Sequence, residues 1–531
     1  MIWKAFLNKR VLWVFLLLVG AGVLSSRFPV FTDEVAWKWL TSRLWFDSGI
    51  SIALYPHCSD SFSLKVPFLF YPARVVDSLF YSSAQMFFSL RAIGILLQCA
   101  LFLGFWFLTK KMNQIYQNDA KERFLVGVSV CLFGVLPFVL CMNRPEQVLS
   151  LCLMMFVLLT LHRPEGKGQE LLIGGGLAAL SEVFFAQHAK ALFFLPLVLI
   201  CCWFARTHRK VKWIISVWVL ILAFQCFSFF WQHTRCSNEF VKTALAAMMV
   251  APIDLLTAPQ ETWTKLIHNG LNVTEYMNSI LIHNQYAIDW LPKNYGFAKG
   301  THVLNASIQM FFGAWVLALF LGFVGLWRER NQGQDHNRIL QIAVGIGAGI
   351  GGLALFQSGK SFYESALVIP LLLILGIMTI PKKMIKVFLP LAVIIATSSA
   401  FLVAYRLWPH LSGDWSGQGP LGQQDHSLKP AHQKAIGPRL DKLADKCNLA
   451  GAGEKLHLVV DDLTYPYFMK TKEPYHAVYV LGWWGRMSIQ DPEGFLKSRR
   501  SAGLISQCRW LPEQLLSKSV RDEDLCCLPA F

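Results

Sequence analysis

The sequence predicts a polytopic α-helical membrane protein, with about eleven transmembrane helices and a small C-terminal α/β domain outside the cytoplasm. Three observations predict it. Of 531 residues, 54% are apolar and only 15% are charged, against about 25% charged in ordinary soluble proteins. Mean hydropathy is +0.42, and 40 Phe and 19 Trp add more apolar surface than one globule can hide. Stretches approaching the roughly 20 mostly apolar residues that a span needs recur along the chain. Disorder, a collagen-like fibre, a small disulfide scaffold and an ordinary soluble enzyme do not fit this composition. The formal charge of +16 therefore bears on topology and anionic lipid before nucleic acid, which is not an expected partner.

Eleven stretches qualify as spans: 7–26, 92–109, 124–142, 146–162, 170–187, 190–206, 213–231, 303–327, 339–357, 362–380 and 386–406. Lys4, Lys9 and Arg10 precede the first. No Ala-x-Ala type cleavage signal follows it, so an uncleaved anchor is expected. With the N-terminus in the cytoplasm, every short cytoplasmic segment carries Lys or Arg, among them Lys110, Arg123, Arg163, Arg209, Arg338 and Lys383. The three short loops on the other side hold one basic residue each: Arg144, Lys190 and Lys360. This asymmetry satisfies the positive-inside rule and leaves the C-terminus outside.

The domains expected are a transmembrane module over 1–406, a linker over 407–430 and an extracytoplasmic α/β domain over 431–531. Two long external loops, 27–91 and 232–302, carry helix-like stretches expected at the membrane interface, such as Val35–Phe46, Ala73–Leu90 and Glu261–His283. The tail opens with a Gly, Pro, Ser and Gln-rich linker. A helix-like stretch follows at 431–446, then strand-like runs at Leu456–Val460, Ala477–Leu481 and Gly503–Ser506. Cys58, Cys236, Cys447, Cys508, Cys526 and Cys527 fall outside, where an oxidising compartment permits disulfides.

Ionisable groups at membrane depth are costly, so they mark candidate sites. Four constellations lie at the external face. Asp33-Glu34 follows the first span; it suits either a helix N-cap or a general base whose pKa is raised at the lipid boundary. Asn143-Arg144-Pro145-Glu146 forms a tight turn in which Arg144 either snorkels or grips a phosphate with its planar fork. Gln187-His188-Ala189-Lys190 sets a His and a Lys in another short turn, with Glu182 one to two turns earlier. Ser358-Gly359-Lys360-Ser361-Phe362-Tyr363-Glu364 contains GKS, but the first glycine of a P-loop is missing and the turn faces away from cytoplasmic nucleotide. Asp77 and Asp254 are reserve acids. Asp461-Asp462 ends a strand-like run, where ligand-binding loops of α/β sheets lie; it suits either a solvated loop or an acceptor-docking site. One base with several cations around it is what reaction at a membrane-embedded phosphate requires.

This pattern resembles the GT-C superfamily of integral membrane glycosyltransferases over roughly residues 1–406. The residues carrying the resemblance are Asp33-Glu34 with the flanking interfacial helices, the Arg-Pro-Glu turn at 144–146 and the His-x-Lys turn at 188–190. The resemblance implies a polyprenyl-phosphate sugar donor, an inverting single displacement, and a glycan, lipid or protein acceptor. It implies a hexosyl- or pentosyltransferase in the bacterial inner membrane, working on the periplasmic face. Asp33 would deprotonate the acceptor hydroxyl, with Glu34 supporting or sharing that role. Arg144, His188, Lys190 and Lys360 would be candidates to hold the donor phosphate. No metal ligands or cofactor are implied, although a divalent cation is compatible. Two other readings remain open. An O-antigen ligase or polymerase would place its chemistry around Arg235, His268 and His283. A lipid-linked glycan transporter would use breaks in its helices, for which Gly345–Gly352 is a candidate.

Overall fold

The computed structural model describes residues 20, 86–116, 120–142, 144–162, 166–187, 189–204, 212–221, 223, 250, 254–282, 298–331, 333–358, 360, 362–411, 430–449, 457–461, 464, 468, 476–481, 501–511 and 513–529. Asp33, Glu34, Asp77, His188, Arg235 and His283 lie outside these residues, as do the first predicted span (Gly20 apart) and the linker's body.

The membrane module is built from helices α1 (Met86–Tyr116), α2 (Ala120–Val130), α3 (Leu136–Leu140), α4 (Pro145–Leu161) and α5 (Lys167–Gln187). A 3-10 turn, Ala189–Phe194, leads into α6 (Leu195–Phe204), and α7 spans Lys212–Ile221. The long segment after α7 contributes α8 (Asp254–Thr257), α9 (Pro259–Leu271) and α10 (Glu275–Asn278). Helices α11 (Ala298–Glu329) and α12 (Gln334–Phe356) follow, then a 3-10 turn Phe362–Glu364, α13 (Ser365–Thr379) and α14 (Lys382–Leu411). Among the described residues, Gly94–Tyr116, Gly300–Glu329, Gln334–Phe356 and Lys382–Tyr405 are long and apolar enough to cross a membrane. Their outward faces carry exposed Leu103, Leu317, Phe320, Val344 and Ile394. Such faces suit lipid rather than water.

In the membrane module three expectations differ from the structure. The interfacial stretch ending at Leu90 runs without a break into α1 from Met86 onward. The single span predicted over 124–142 is two helices. Gly134 takes a left-handed φ of +51° between them, and a side chain there would collide with the Ile280 carbonyl. The Val135 amide donates to that same carbonyl at 2.9 Å, and Pro137 opens the second helix. The segment that carries α8 to α10 therefore reaches into the bundle, and its Ile280 carbonyl takes the Val135 amide from the helical ladder. The Glu261–His283 stretch is likewise broken, after Leu271, into a 3-10 turn and α10.

The bundle core is aromatic. Trp315 stacks on Phe311 at 5.8 Å between ring centroids, and Phe388 packs edge-on against both. Glycine gives close approach where helices cross. Gly345 and Gly349 of α12 meet Leu197 and Phe194, so Gly345–Gly352 is part of a continuous helix with a packed face. At one end, buried Arg123 donates to the carbonyls of Gly376 (3.4 Å), Ile377 (2.6 Å) and Ile380 (2.7 Å). Those carbonyls close the C-terminus of α13, where helical acceptors lack partners and the dipole is negative. Arg338 does the same for α4 through Thr160 O at 3.2 Å.

The tail contains helix α15 (Pro430–Lys446) and a five-stranded sheet of order β2-β1-β3-β5-β4. The strands are β1 (His457–Asp461), β2 (His476–Leu481), β3 (Ser501–Gln507), β4 (Val520–Asp522) and β5 (Leu525–Pro529). The first three pair in parallel; β5 pairs antiparallel with β3 and β4. The last two strands were not expected from the sequence. Disulfides join Cys447 to Cys527 and Cys508 to Cys526, tying α15 and the turn after β3 to β5.

Asp461 corrects the expectation of a solvated loop. It is fully buried. Its Oδ1 accepts from the Thr464 amide (2.8 Å) and hydroxyl (2.7 Å). Its Oδ2 accepts from the Gln507 amide (2.8 Å) and side chain (2.9 Å). Burial pushes its pKa up despite these four donors. The carboxylate ties β1 to β3, and nothing is left over for a ligand. Asp462 lies outside the described residues.

Arg123→Ala should lower the unfolding temperature of the detergent-solubilised chain, with a cost of about 1.5–3 kcal/mol for the helix-end carbonyls left unsatisfied. An unchanged melting curve would show that these contacts do not hold α13.

Candidate functional site

The opposite end of the bundle holds carboxylates instead of bare carbonyls. Helices α4 and α13 both start there, in contact through the Ser150 hydroxyl donating to Ala366 O at 2.7 Å. Pro145 opens α4 with its missing N–H in the first turn, and Arg144 is the N-cap. The cap is tied by Gln147, whose Oε1 accepts from the Arg144 amide (3.1 Å) and whose Nε2 donates to Val139 O (2.6 Å). Glu146 lies in the first turn of α4, and Glu364 is the N-cap of α13. Both acids therefore stand at the positive end of a helix dipole.

Lys190 joins them. Its Nζ is 2.8 Å from Glu146 Oε1 and 2.8 Å from Glu364 Oε1. Arg144 Nε lies 3.5 Å from Glu146 Oε2, and Gln357 Nε2 donates to Glu364 Oε1. The Tyr363 ring lies beside both cations, 3.9 Å from the Arg144 guanidinium carbon and 5.3 Å from Lys190 Nζ. Lys190, Glu146 and Glu364 are 6%, 0% and 1% exposed, so the cluster is desolvated. Two cations face two carboxylates, and the charges balance.

Lys360 is placed differently. It is 6% exposed. Its ammonium donates to the backbone carbonyl of Asn269 and lies 5.4 Å from the Tyr276 ring centroid. It forms no ion pair with a carboxylate among the described residues. Burial lowers its pKa below the ordinary lysine value; Glu275 and Glu364 oppose that shift from farther off. The Tyr276 hydroxyl is buried without a hydrogen-bond partner among the described residues, and burial first, then the charge of Glu364, raises its pKa. A buried ammonium whose contacts among the described residues are neutral is costly until an anion arrives.

Of the six sequence-predicted site residues, the structure brings Arg144 and Lys190 into one cluster and sets Lys360 next to it, within the field of Glu364. Asp33, Glu34 and His188 lie outside the described residues. Glu146, Glu364, Gln357, Asn269 and Tyr276 were not assigned a role from the sequence. Glu146 and Glu364 stood within the marked turns, and the signal was an acid at the start of an apolar run. Glu182 is 7% exposed on α5, and Asp254 opens α8. His268 is exposed, with its Nε2 3.0 Å from Asn272 Nδ2. No group of three His, Cys, Asp or Glu that could hold a metal ion occurs among the described residues.

Lipid-suited helices with a buried, balanced charge cluster and an adjoining lysine at one end define a helical membrane protein. No protein-family model matches the chain, and no curated protein matches it. Among solved structures it is similar to ArnT from Cupriavidus metallidurans bound to undecaprenyl phosphate, at 12% identity over 99% of this chain and 98% of that one, with a TM-score of 0.48. The apo state of ArnT gives 12% identity, the same coverage and a TM-score of 0.49. The archaeal oligosaccharyltransferase AglB from Archaeoglobus fulgidus, in complex with an inhibitory peptide and a dolichol-phosphate, gives 11% identity over 96% of this chain and 72% of that one, with a TM-score of 0.43.

Glu364→Gln should destabilise the chain by about 3–5 kcal/mol, because it leaves a buried charge uncompensated. Thermal unfolding in detergent measures this, and the double variant Glu364→Gln, Lys190→Met should recover part of the loss. A double variant no better than the single would show that the pair is not coupled.

Proposed function

We propose that the chain is an inverting membrane glycosyltransferase of the GT-C type. It moves a sugar from a polyprenyl-phosphate donor to an acceptor hydroxyl on the extracytoplasmic face. The observation that carries this is Lys360: a buried ammonium at the end of the bundle, facing neutral groups, beside a cluster already in charge balance.

Asp33 takes the proton from the acceptor hydroxyl, and Glu34 supports it. The acceptor oxygen forms the new bond to the anomeric carbon as the bond to the phosphate oxygen breaks. The bonding electrons leave with the phosphate, whose added charge Lys360 neutralises, with Arg144 and His188 as further donors. Lys190 acts from within the ion cluster, holding the Arg144 and Tyr363 turns against each other. The extracytoplasmic assignment is supported by the paucity of basic residues in the turns at this end and by the tail's disulfides.

The ligase or polymerase reading would centre on Arg235, His268 and His283, and exposed His268 is bonded to Asn272 rather than facing the charge cluster. The transporter reading used Gly345–Gly352, which is packed helix.

Asp33→Asn should abolish transfer from a polyprenyl-phosphate sugar by the purified chain while leaving donor binding intact, whereas Arg235→Ala should retain transfer. The reverse pattern would select the ligase reading. Donor binding should also weaken as pH rises through the lowered pKa of Lys360, because only the ammonium form attracts phosphate. That loss should begin below the ordinary lysine value of about 10.4. Lys360→Arg should move it to higher pH, since arginine stays charged. Identical alkaline limbs in a binding titration would remove Lys360 from the phosphate site.

A further inference from the structure

Helix α9 presents three faces. Thr262, Leu266 and Asn269 are buried; the Thr262 hydroxyl donates to Asp254 O of α8 at 3.0 Å, and Asn269 turns towards the end of α12. The Asn269 amide donates to Leu355 O at 2.8 Å and to Ser358 Oγ at 3.2 Å. Trp263, Ile267 and Leu271, spaced four residues apart, form a second face and are 60%, 60% and 74% exposed. Glu261 and Lys265 form the third, paired at 2.9 Å and open to solvent. At 3.6 residues per turn the apolar stripe and the charged edge point in different directions from the same helix.

A helix surrounded by water would not present that stripe, and one surrounded by hydrocarbon would not present Glu261 and Lys265. The stripe also has a neighbour of known character. Gly270 of α9 lies against the Leu355 side chain at the end of α12. Leu355 is itself 40% exposed, on a helix long and apolar enough to cross the membrane. The apolar surface of α9 thus continues the lipid-facing surface of α12 around its end.

We infer that α9 lies in the bilayer interface at the end of α12, with Trp263, Ile267 and Leu271 among phospholipid chains and Glu261 and Lys265 in water. The helix does more than anchor a loop. Its Asn269 carbonyl accepts from Lys360, so the lipid surface sets the depth of that ammonium. Lys360 is thereby held near the level at which lipid phosphates lie. The inference rests on the membrane reading of the helices and does not depend on the sugar-transfer reaction.

Photo-crosslinking tests it without any activity assay. Benzoylphenylalanine is placed at Ile267, Leu271 or Lys265 of the full chain, in vesicles of phosphatidylethanolamine and phosphatidylglycerol, and peptides are analysed by mass spectrometry after irradiation. Phospholipid adducts should form from 267 and 271 at least tenfold more than from 265. Crosslinks from 267 or 271 to another segment of this chain would overturn the inference. So would equal lipid adducts at all three positions, or no adduct at 267 and 271.

Discussion

Lys190 is held between Glu146 and Glu364, and the rest of the site depends on that arrangement. Its three members come from three separate turns of the chain. Each carboxylate stands at the start of a helix, where the dipole favours it, and the single ammonium draws the two helix starts to one point. Burial makes the arrangement all-or-none: with Arg144 beside Glu146, two cations balance two carboxylates, and with any one of the four missing a charge is left in a low-dielectric interior. The cluster thereby also fixes Arg144 and Tyr363, which are contacts of its members.

The two ends of the bundle use cations for opposite purposes. At one end Arg123 and Arg338 satisfy the last carbonyls of α13 and α4. At the other, Arg144 and Lys190 meet carboxylates, and Lys360 meets, among the described residues, a carbonyl and an aromatic face. This difference separates Lys360 from the other basic residues of the short turns. Its neighbours also connect it to α9, so the loop that interrupts the bundle at Gly134 and the helix that faces lipid belong to one structural unit with the candidate site.

The fold was legible where pattern alone decides. Spans such as α4 and α12 and strands β1 to β3 lie within a few residues of their expected positions, because an unbroken apolar run has few places to go. The break at 131–135 was not legible: Gly134 and Pro137 are tolerable in a span until another segment supplies a competing acceptor. Strands β4 and β5 are short, and Arg521, Asp522, Glu523 and Asp524 mask them. Asp461 reads as a surface acid, and its burial depends on Thr464 and Gln507, which only folding brings to it.

By itself the sequence determined the solvent of this protein, the places of apolar helices such as α4 and α12, and the turns in which ionisable residues are concentrated. These follow from hydrophobicity and charge, which are local properties. The tertiary structure decided what each charge is for. Arg144, Lys190 and Lys360 are equivalent as lone cations in short external turns. They became different when Glu146 and Glu364 were folded against Lys190 and, among the described residues, Asn269 and Tyr276 were set against Lys360, because the cost and use of a buried charge depend on its partners.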